Sequence, residues 1–468
     1  MNKQPKIGLL PLYLQLYDNT FPDLRNEFEP FMQTILDGLT EDGIEVVRAE
    51  ICRLQPEFQH AIRFFEQTDV DLIVTLHLAY SLSLEAVDTL AASSKPILML
   101  DTTMDYDFGM NVDPKRILFN HGIHGVQDLA CMLRRRSVPF FIVSGHVVES
   151  NVLKRAANFA RAAYAARVFK ETKILRIGES FHGMGDFHVT NHALAERFGI
   201  TVHEKTPDCL ADAIRSLTAE VIENEIRRDR ENYEVDLCEE THRRSVRVGL
   251  GLRKVLEEGD YNALSVNFLA FDTSEGLVDT VPFLEISKAM ARGLGYAGEG
   301  DVLTAALVAA LNGAFGRTTF TEIFCPDWKG GTVFLSHMGE INPRVAANKP
   351  RLCEKDFPWT KSNNPAVIVC APASGPATFV NLAPGPDDTF RLIIAPVVVE
   401  EDTINPAMRD TVRGWFCPPC SLEEFLEEYA LAGGTHHSAL LLGNQVEALT
   451  AFADFIGIEC HRIPAKFI

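Results

Sequence analysis

The first third of the chain alternates continuous apolar runs with amphipathic stretches. The apolar runs contain few polar positions, which is the pattern of strands that helices cover on both faces. Strands that alternate with helices predict a parallel, doubly wound sheet, in which ligands bind at the carboxyl ends of the strands. The predicted strands are Ile7–Leu14, Glu45–Ile51, Asp71–Leu78, Pro96–Asp101 and Pro139–His146. The helices predicted between them are Leu24–Leu39, Glu57–Glu66, Leu82–Ala92 and Gly125–Arg136.

The same alternation restarts after a predicted helix over Ser150–Phe169 and later gives way to short strands. Lys173–Ser180 begins a second α/β segment, which we expect to end near Phe315. From Arg317 onward, short β-rich runs separated by turns predict an antiparallel sheet or a small barrel. The sequence therefore predicts an α/β protein with two doubly wound parallel-sheet domains, followed by a C-terminal antiparallel β domain. The predicted domains are residues 1–170, 171–315 and 316–468.

The charge of the chain narrows the choice of partners. Its 468 residues include 44 Lys and Arg against 64 Asp and Glu, which gives a net charge of −20. Such an acidic protein is not expected to bind nucleic acid or an anionic membrane as its main partner. No stretch approaches the ~18 consecutive apolar residues of a membrane span. The ten cysteines lack the spacing of a disulfide framework, so we expect a cytoplasmic protein with reduced thiols.

Glu322 and His337 lie on two successive predicted strands. Period-two alternation puts Glu322 on the same face as Phe320 and Phe324, and His337 on the same face as Val333. A buried carboxylate needs a partner, because the loss of its water is otherwise too costly. A carboxylate and an imidazole on neighbouring strands could bind one divalent metal ion. For this pair taken alone, a solvated glutamate and a hydrogen-bonded core histidine are the more common arrangement.

A further candidate, Glu299, lies in a glycine-flanked turn. The helix that follows is apolar on nearly all sides, so we expect it to be buried, with Asp301 as its N-cap. The alternative role of Glu299 is a favourable interaction with the helix dipole. The GxGxxG pattern at Gly293–Gly298 is not interpreted as a dinucleotide-binding fingerprint, because it follows a predicted helix and not a strand.

Two adjacent histidines, His436 and His437, follow a pair of glycines. On an extended segment their rings face opposite ways, so at most one of them is expected to bind a shared metal ion. A histidine pair on the surface is the common alternative. Cys417 and Cys420 form a single CxxC outside a thioredoxin-like strand–helix context, and we interpret them as ordinary thiols in a turn.

Two glutamates and two histidines suit an octahedral divalent metal ion that leaves room for two substrate oxygens. The imidazoles favour Mn²⁺, with Mg²⁺ or Co²⁺ as alternatives. Such a site can move a proton next to a carbonyl group. The metal polarises the carbonyl and hydroxyl groups while a carboxylate carries the proton.

These motifs, in this order, resemble the L-arabinose isomerases and their L-fucose isomerase relatives. The resemblance rests on four segments, with weaker likeness over nearly the whole chain. The segments are Gly295–Leu307, Phe320–Glu322, Ser336–Pro343 and Ala432–Ser438. The combination of the four is specific, whereas each segment alone is not.

The resemblance implies four metal ligands, Glu299, Glu322, His337 and His437, the last being the second histidine of its pair. It also implies that Glu299 and Glu322 are catalytic and share the proton transfer between C1 and C2 of a free monosaccharide, through an ene-diol. By the same resemblance we expect a homo-oligomer, a trimer or a hexamer, whose pockets combine neighbouring subunits. The residues expected to bind the sugar are Tyr17, His121, His124, Phe181, Phe268 and Met338.

The sequence departs from the family pattern in the sugar pocket and not at the metal ligands. Ala79 stands where an aromatic residue is expected, and His121 stands where a glutamine is expected. Phe181–Asp186 is closer to the L-fucose isomerase turn. These departures predict a preferred substrate other than L-arabinose. The alternatives are another sugar isomerase or epimerase on the same scaffold, and a sugar-binding paralogue without activity.

Overall fold

The computed structural model describes residues 4–403 and 405–465. The chain forms two compact units, residues 1–164 and 165–468. The finer division into domains 1–170, 171–315 and 316–468 stays a prediction. Within the described residues, every helix is either too short or too polar to cross a lipid bilayer.

The first unit contains a parallel sheet, as predicted. Its strands are β1 (Lys6–Leu12), β2 (Glu45–Arg48), β3 (Leu72–His77), β4 (Ile97–Asp101) and β5 (Phe141–Ser144). They lie in the order β2-β1-β3-β4-β5, and all pairings are parallel. The chain order reverses between β1 and β3, so Leu12 and His77 lie side by side at the carboxyl ends of these strands. This is the edge at which such sheets bind ligands.

The five helices predicted in the first unit are present near their predicted positions, one of them divided, whereas two short helices, Gln15–Thr20 and Ile117–Asn120, were not predicted. The described part of this unit therefore has seven α-helices. They are α1 (Gln15–Thr20), α2 (Glu29–Glu41), α3 (Gln55–Gln67), α4 (Ser83–Ala92), α5 (Ile117–Asn120), α6 (Gly122–Arg135) and α7 (Val152–Lys170), the last of which continues into the second unit. The predicted helix Leu24–Leu39 is divided into a 3₁₀ helix, Leu24–Phe28, and α2. Pro30 causes the division: a proline has no N–H to donate, so it fits the first turn of a helix and not the interior.

The second unit contains three sheets and eight helices among its described residues. Its strands are β6 (Lys173–Ile177), β7 (Thr201–Lys205), β8 (Glu234–Asp236), β9 (Ala263–Val266), β10 (Gly295–Gly298), β11 (Thr318–Asp327), β12 (Thr332–Ser336), β13 (Arg351–Glu354), β14 (Ala366–Val369), β15 (Gly375–Pro384), β16 (Phe390–Val399), β17 (Gly414–Cys417), β18 (His437–Leu442) and β19 (Glu459–Arg462). Its helices are α8 (Asn191–Phe198), α9 (Ala211–Arg215), α10 (Ala219–Asn232), α11 (Glu239–Glu258), α12 (Phe283–Ala291), α13 (Val302–Phe315), α14 (Leu422–Leu431) and α15 (Val446–Ile456).

The two larger sheets match the predicted classes. The first is parallel, with the order β10-β9-β6-β7. In the second, the strands β15, β18, β11, β12, β17 and β16 pair in turn, each antiparallel to the next, and β16 pairs again with β15. That last pairing closes the sheet into a barrel, while β19 adds to β16 in parallel. A C-terminal antiparallel β structure is therefore confirmed.

Helix α13 joins the two larger sheets of the second unit. Its residues Val302–Asn312 are buried, and it packs against β9 and β10 on one side and β11 and β18 on the other. Gly295 of β10 lies so close to the helix that a Cβ there would be 2.1 Å from the carbonyl oxygen of Ala305. In the third sheet, order β14-β13-β8, strand β8 pairs with β13 across the sequence boundary predicted at 315. These contacts make residues 165–468 one compact unit.

Helices α10, α11 and α12 are held together by buried charges. Glu225 of α10 contacts Arg253 of α11 at 2.7 Å and Lys288 of α12 at 2.8 Å. Burial alone raises the pKa of Glu225, but the two cations outweigh it and lower the pKa to about 2. Removal of one partner from such a buried ion cluster is destabilising, because the others keep an uncompensated charge.

Candidate active site

The chemistry-bearing side chains of the second unit meet around Glu322, in the middle of β11. Glu322 on β11 lies in register with His437, the first residue of β18, and with Ser336, the last residue of β12. His337 follows Ser336 directly. Glu299 comes from the turn between β10 and α13. Antiparallel pairing thus brings together residues that are far apart along the chain.

The distances show how closely these groups approach. Oε1 of Glu322 lies 3.0 Å from Nε2 of His337 and 2.9 Å from Nε2 of His437. Oε2 of Glu299 lies 3.4 Å from the same nitrogen of His437. All four side chains are nearly or fully buried. The structure therefore brings together the four residues that the resemblance implies as metal ligands.

Each of the two imidazoles is held from behind by a carboxylate. Nδ1 of His337 bonds to Oε2 of Glu340 at 2.7 Å, and Nδ1 of His437 bonds to Oδ2 of Asp301 at 2.9 Å. Glu340 also accepts a hydrogen bond of 2.6 Å from the hydroxyl of Tyr296. A carboxylate at Nδ1 fixes a hydrogen on that nitrogen, so Nε2 is the nitrogen that would lose its proton to bind a metal ion; this is the arrangement typical of metal-binding histidines.

His437 gives a direct test of whether this group of residues fits a metal ion. Its Nε2 is buried, yet among residues 4–403 and 405–465 it has no hydrogen-bond partner of acceptable geometry, although two carboxylates lie within 3.4 Å. A buried polar nitrogen without a hydrogen bond is unfavourable, and a bound ligand would remove this cost. Carboxylate oxygens and imidazole nitrogens are donors that suit Mn²⁺ and related divalent ions. The residues therefore fit a divalent metal ion.

The electrostatics of the site favour a cation. Burial alone raises the pKa of Glu299, but the imidazoles of His436 and His437 outweigh it and lower the pKa to about 2. Burial also raises the pKa of Glu322. The nearby imidazoles outweigh burial, His337 most strongly, and hold the pKa of Glu322 well below its usual range. Burial lowers the pKa of His337, but Glu340 and Glu322 outweigh it and raise the pKa to about 10. Ionised carboxylates therefore surround the imidazoles.

The backbone at Glu299 is in an unusual conformation. Its φ is +61°, in the left-handed region that costs energy for any residue with a Cβ. The next residue, Gly300, has φ +85°, and a Cβ there would lie 2.5 Å from Cα of Ser180. Such strain persists where the surroundings enforce it, and it is frequent at functional sites. The turn directs the Glu299 carboxylate towards the barrel.

His436 is placed differently from our expectation. The alternation argument predicted that it would face away from a site shared with His437, but β18 begins at His437, so His436 lies before the strand and does not follow its alternation. The two rings lie 4.3 Å apart. Together with Glu299 and Glu322, each of the two histidines offers one ligand atom, and these four atoms lie within 4.8 Å of one another.

Aromatic rings surround the imidazoles. The Phe320 ring lies edge-on to both His337 and His437, with centroids 4.8 and 5.0 Å away. The Phe187 ring stacks on His437 at 4.7 Å with an interplanar angle of 6°. These rings restrict the rotation of the imidazoles and exclude water from one side of the site.

Three of the residues expected to bind a sugar lie in the second unit. The backbone N–H of Phe181 donates to the carbonyl of Glu299 at 2.9 Å, and its ring lies 5.8 Å from that of Phe268. Met338 follows His337 directly and is half-buried. The structure thus places Phe181 and Met338 next to residues of the site, while their role in binding stays a prediction.

The other three form a polar aromatic cluster within the first unit. The Tyr17 hydroxyl lies 2.9 Å from Nε2 of His121, whose ring is 5.7 Å from that of His124. Tyr80, the residue after Ala79, approaches His124 edge-on with centroids 6.5 Å apart. An aromatic side chain is therefore present near His124 although position 79 carries none. The role of this cluster in sugar binding stays a prediction.

Cys417 and Cys420 lie in a context that we did not expect. Strand β17 ends at Cys417 and α14 begins at Leu422, so the pair does lie between a strand and a helix. Burial and nearby carboxylates raise the pKa of each thiol to about 11. A raised pKa leaves little thiolate, the form that reacts or binds metal. This agrees with the interpretation of the two residues as ordinary thiols.

Comparison with known proteins adds a second line of support. The family described as the L-arabinose isomerase central domain matches residues 173–314, and the L-arabinose isomerase C-terminal domain matches residues 317–459. The chain is 28% identical to an L-arabinose isomerase of Anoxybacillus flavithermus over 378 residues, 78% of this chain and 75% of the relative. It is 27% identical to the L-arabinose isomerase of Aeromonas hydrophila over 84% of this chain and 81% of the relative. It is 25% identical to L-arabinose isomerase 1 of Bacillus licheniformis over 92% and 89%, respectively.

Proposed function

Because the chain belongs to the L-arabinose isomerase-like superfamily, we propose that it is a metal-dependent aldose–ketose isomerase that acts on a free monosaccharide. The observation that carries the proposal is the pair Glu299 and Glu322, two buried and ionised carboxylates that converge on the same nitrogen of His437. A buried carboxylate pair beside imidazoles suits proton transfer next to a carbonyl group.

Four residues would hold the metal ion: Glu299, Glu322, His337 and His437. Mn²⁺ is the ion that we favour, with Mg²⁺ or Co²⁺ as alternatives, because the site mixes oxygen and nitrogen donors. When bound, a divalent ion supplies polarisation of the substrate carbonyl and hydroxyl groups.

The two glutamates would share the acid–base work. One carboxylate accepts the proton from C2 of the aldose and returns it to C1, so the substrate passes through an ene-diol. The other moves a proton between the oxygens on C1 and C2. Both carboxylates are ionised at neutral pH and can accept a proton, and their burial keeps bulk water from competing for it.

We also propose that the enzyme is a homo-oligomer, a trimer or a hexamer, in which neighbouring subunits share pockets. Apolar side chains exposed on the first unit support an interface: Tyr106 is 72% exposed, Phe108 is 47% exposed and Met110 is fully exposed. Large apolar groups clustered on a surface mark contacts with other proteins. Light scattering during gel filtration measures the mass, and a monomer would contradict this part of the proposal. A cytoplasmic location stays a prediction.

A panel of aldoses tests the proposed function. The metal-stripped protein is supplied with Mn²⁺, and ketose formation is measured for L-arabinose, D-galactose, L-fucose and D-arabinose. We expect conversion of at least one aldose and no conversion after chelation. Binding of a sugar without conversion would instead identify a sugar-binding paralogue. If L-arabinose exceeds the other sugars tenfold or more in kcat/KM, the predicted departure from L-arabinose is wrong while the reaction class stands.

A further inference from the structure

The loop between β6 and α8 reaches the site at three points. The backbone N–H of Phe181 bonds to the carbonyl of Glu299, and the ring of Phe187 stacks on His437. The third point is Asp186. Its Oδ2 accepts hydrogen bonds from the backbone N–H of His436 at 2.9 Å and from Nδ1 of the same residue at 2.7 Å. A single carboxylate oxygen thus fixes both the backbone and the ring of His436.

This double hydrogen bond determines where the other ring nitrogen lies. With Nδ1 turned towards Asp186, Nε2 of His436 faces Oε2 of Glu299 at 3.9 Å. That distance is too long for a hydrogen bond, so Nε2 remains available to a third polar group. The His436 side chain is 37% exposed, whereas that of His437 is fully buried. The His436 side chain is therefore accessible to a ligand from solvent, whereas the His437 side chain is not.

We propose that Asp186 is a positioning residue, which orients His436 so that its Nε2 binds a hydroxyl group of the sugar next to Glu299, while the metal ion is held without His436. The inference rests on the proposed function. It assigns different tasks to two adjacent histidines. His437 is held by Asp301 for the metal, and His436 is held by Asp186 for the substrate.

The kinetic test combines Asp186→Ala with His436→Ala. We expect Asp186→Ala to lower kcat/KM about tenfold, the scale of one charge-assisted hydrogen bond, mainly through a higher KM. Asp186→Asn keeps one acceptor oxygen and should restore part of the loss. In the His436→Ala background, Asp186→Ala should have no further effect. Additive losses, or an unchanged kcat/KM in Asp186→Ala, would overturn the proposal.

Two measurements do not depend on turnover. Bound Mn²⁺ should be the same in wild type, Asp186→Ala and His436→Ala, and loss of the metal in either variant would show that His436 is a ligand instead. Long-range ¹H–¹⁵N NMR of histidine-labelled protein in Mg²⁺ should show shifted His436 ring nitrogens in Asp186→Ala. The exposed control Asp208→Ala should leave these signals unchanged. Unchanged His436 signals in Asp186→Ala would also overturn the proposal. If the wild-type protein converts no aldose, the proposed function is refuted. The orientation of His436 by Asp186 is still tested by the metal content and the NMR signals, so the two failures are distinguishable.

Discussion

Replacement of Glu340 by glutamine tests whether the carboxylates behind the histidines support metal binding. Glu340 is 1% exposed and accepts hydrogen bonds from His337 at 2.7 Å and from Tyr296 at 2.6 Å. Glutamine keeps the shape and one acceptor oxygen, and its amide group can donate to the hydroxyl of Tyr296. The variant therefore keeps its packing, while the hydrogen bond to His337 loses its negative partner.

The size of the effect follows from the change in this one bond. A hydrogen bond to a charged group contributes about 1.5–3 kcal/mol, and a bond between neutral groups contributes about 0.5–1.5 kcal/mol. The difference of about 1–2 kcal/mol weakens Mn²⁺ binding roughly five- to thirtyfold. This range overlaps the roughly 10- to 100-fold losses known for groups that support metal ligands.

Calorimetric titration of the metal-stripped protein with Mn²⁺ measures the change, and the melting temperature shows whether the fold is intact. Glu354→Gln is the matched control. This carboxylate accepts hydrogen bonds from Thr241 at 2.7 Å and Asn364 at 3.1 Å, outside the site. If Glu340→Gln binds Mn²⁺ as tightly as wild type and Glu354→Gln, Glu340 does not support the metal through His337 and the reasoning is refuted.

Four further variants separate catalysis, metal binding and stability. Glu299→Gln removes a proton acceptor but keeps the shape, so turnover should fall at least ~10²-fold with an intact fold; turnover within a few-fold of wild type excludes Glu299 from the chemistry. His337→Ala should lose bound Mn²⁺ and activity together, whereas Cys417→Ser should keep both; metal analysis that finds wild-type Mn²⁺ in His337→Ala would remove this residue from the ligand set. Because the pKa of Glu225 is about 2 in the fold against a usual 4.5, its contribution to stability is present above pH 4.5 and is lost as the pH falls towards 2. This contribution is about 3 kcal/mol, so Glu225→Gln should lower the free energy of unfolding at pH 7 and make it fall less steeply as the pH decreases. Urea titrations at pH 7, 4.5 and 3 measure this; a free energy of unfolding that depends on pH as in wild type would contradict the prediction.

The predictions that succeeded rest on local patterns. The buried strand Leu72–His77 is a continuous apolar run, and a run of this type has few alternatives to a parallel sheet covered on both faces. Glu322 and His337 lie close to each other because Glu322 is on β11 and His337 directly follows β12, and strands that succeed each other in the chain usually pair as a hairpin.

The relations that the sequence did not reveal are contacts between distant positions. Asp301 was expected as the cap of α13, and it is the cap, since its Oδ1 accepts from the N–H of Thr304. Its second oxygen binds His437, which lies 136 positions away, and no local pattern marks such a pair. The contact of Glu340 with His337 could have been predicted from the sequence, because Glu340 follows His337 by three positions in the same motif. Asp186 ends the segment Phe181–Asp186, which the sequence analysis related only to a turn of the L-fucose isomerases, and its contact with His436 depends on tertiary packing.

The burial of α13 between two sheets limits where this chain can be cut or recombined. A chimera joined near residue 315 would take β6, β9 and β10 from one parent and β11 and β18 from the other, and the helix would have to fit both. The close approach of Gly295 to Ala305 leaves no space for an added methyl group on that strand. Strand β8 would also lose its native neighbour β13. Recombination between relatives at residue 315 should therefore often destabilise the second unit, although the class of sheet changes at that point.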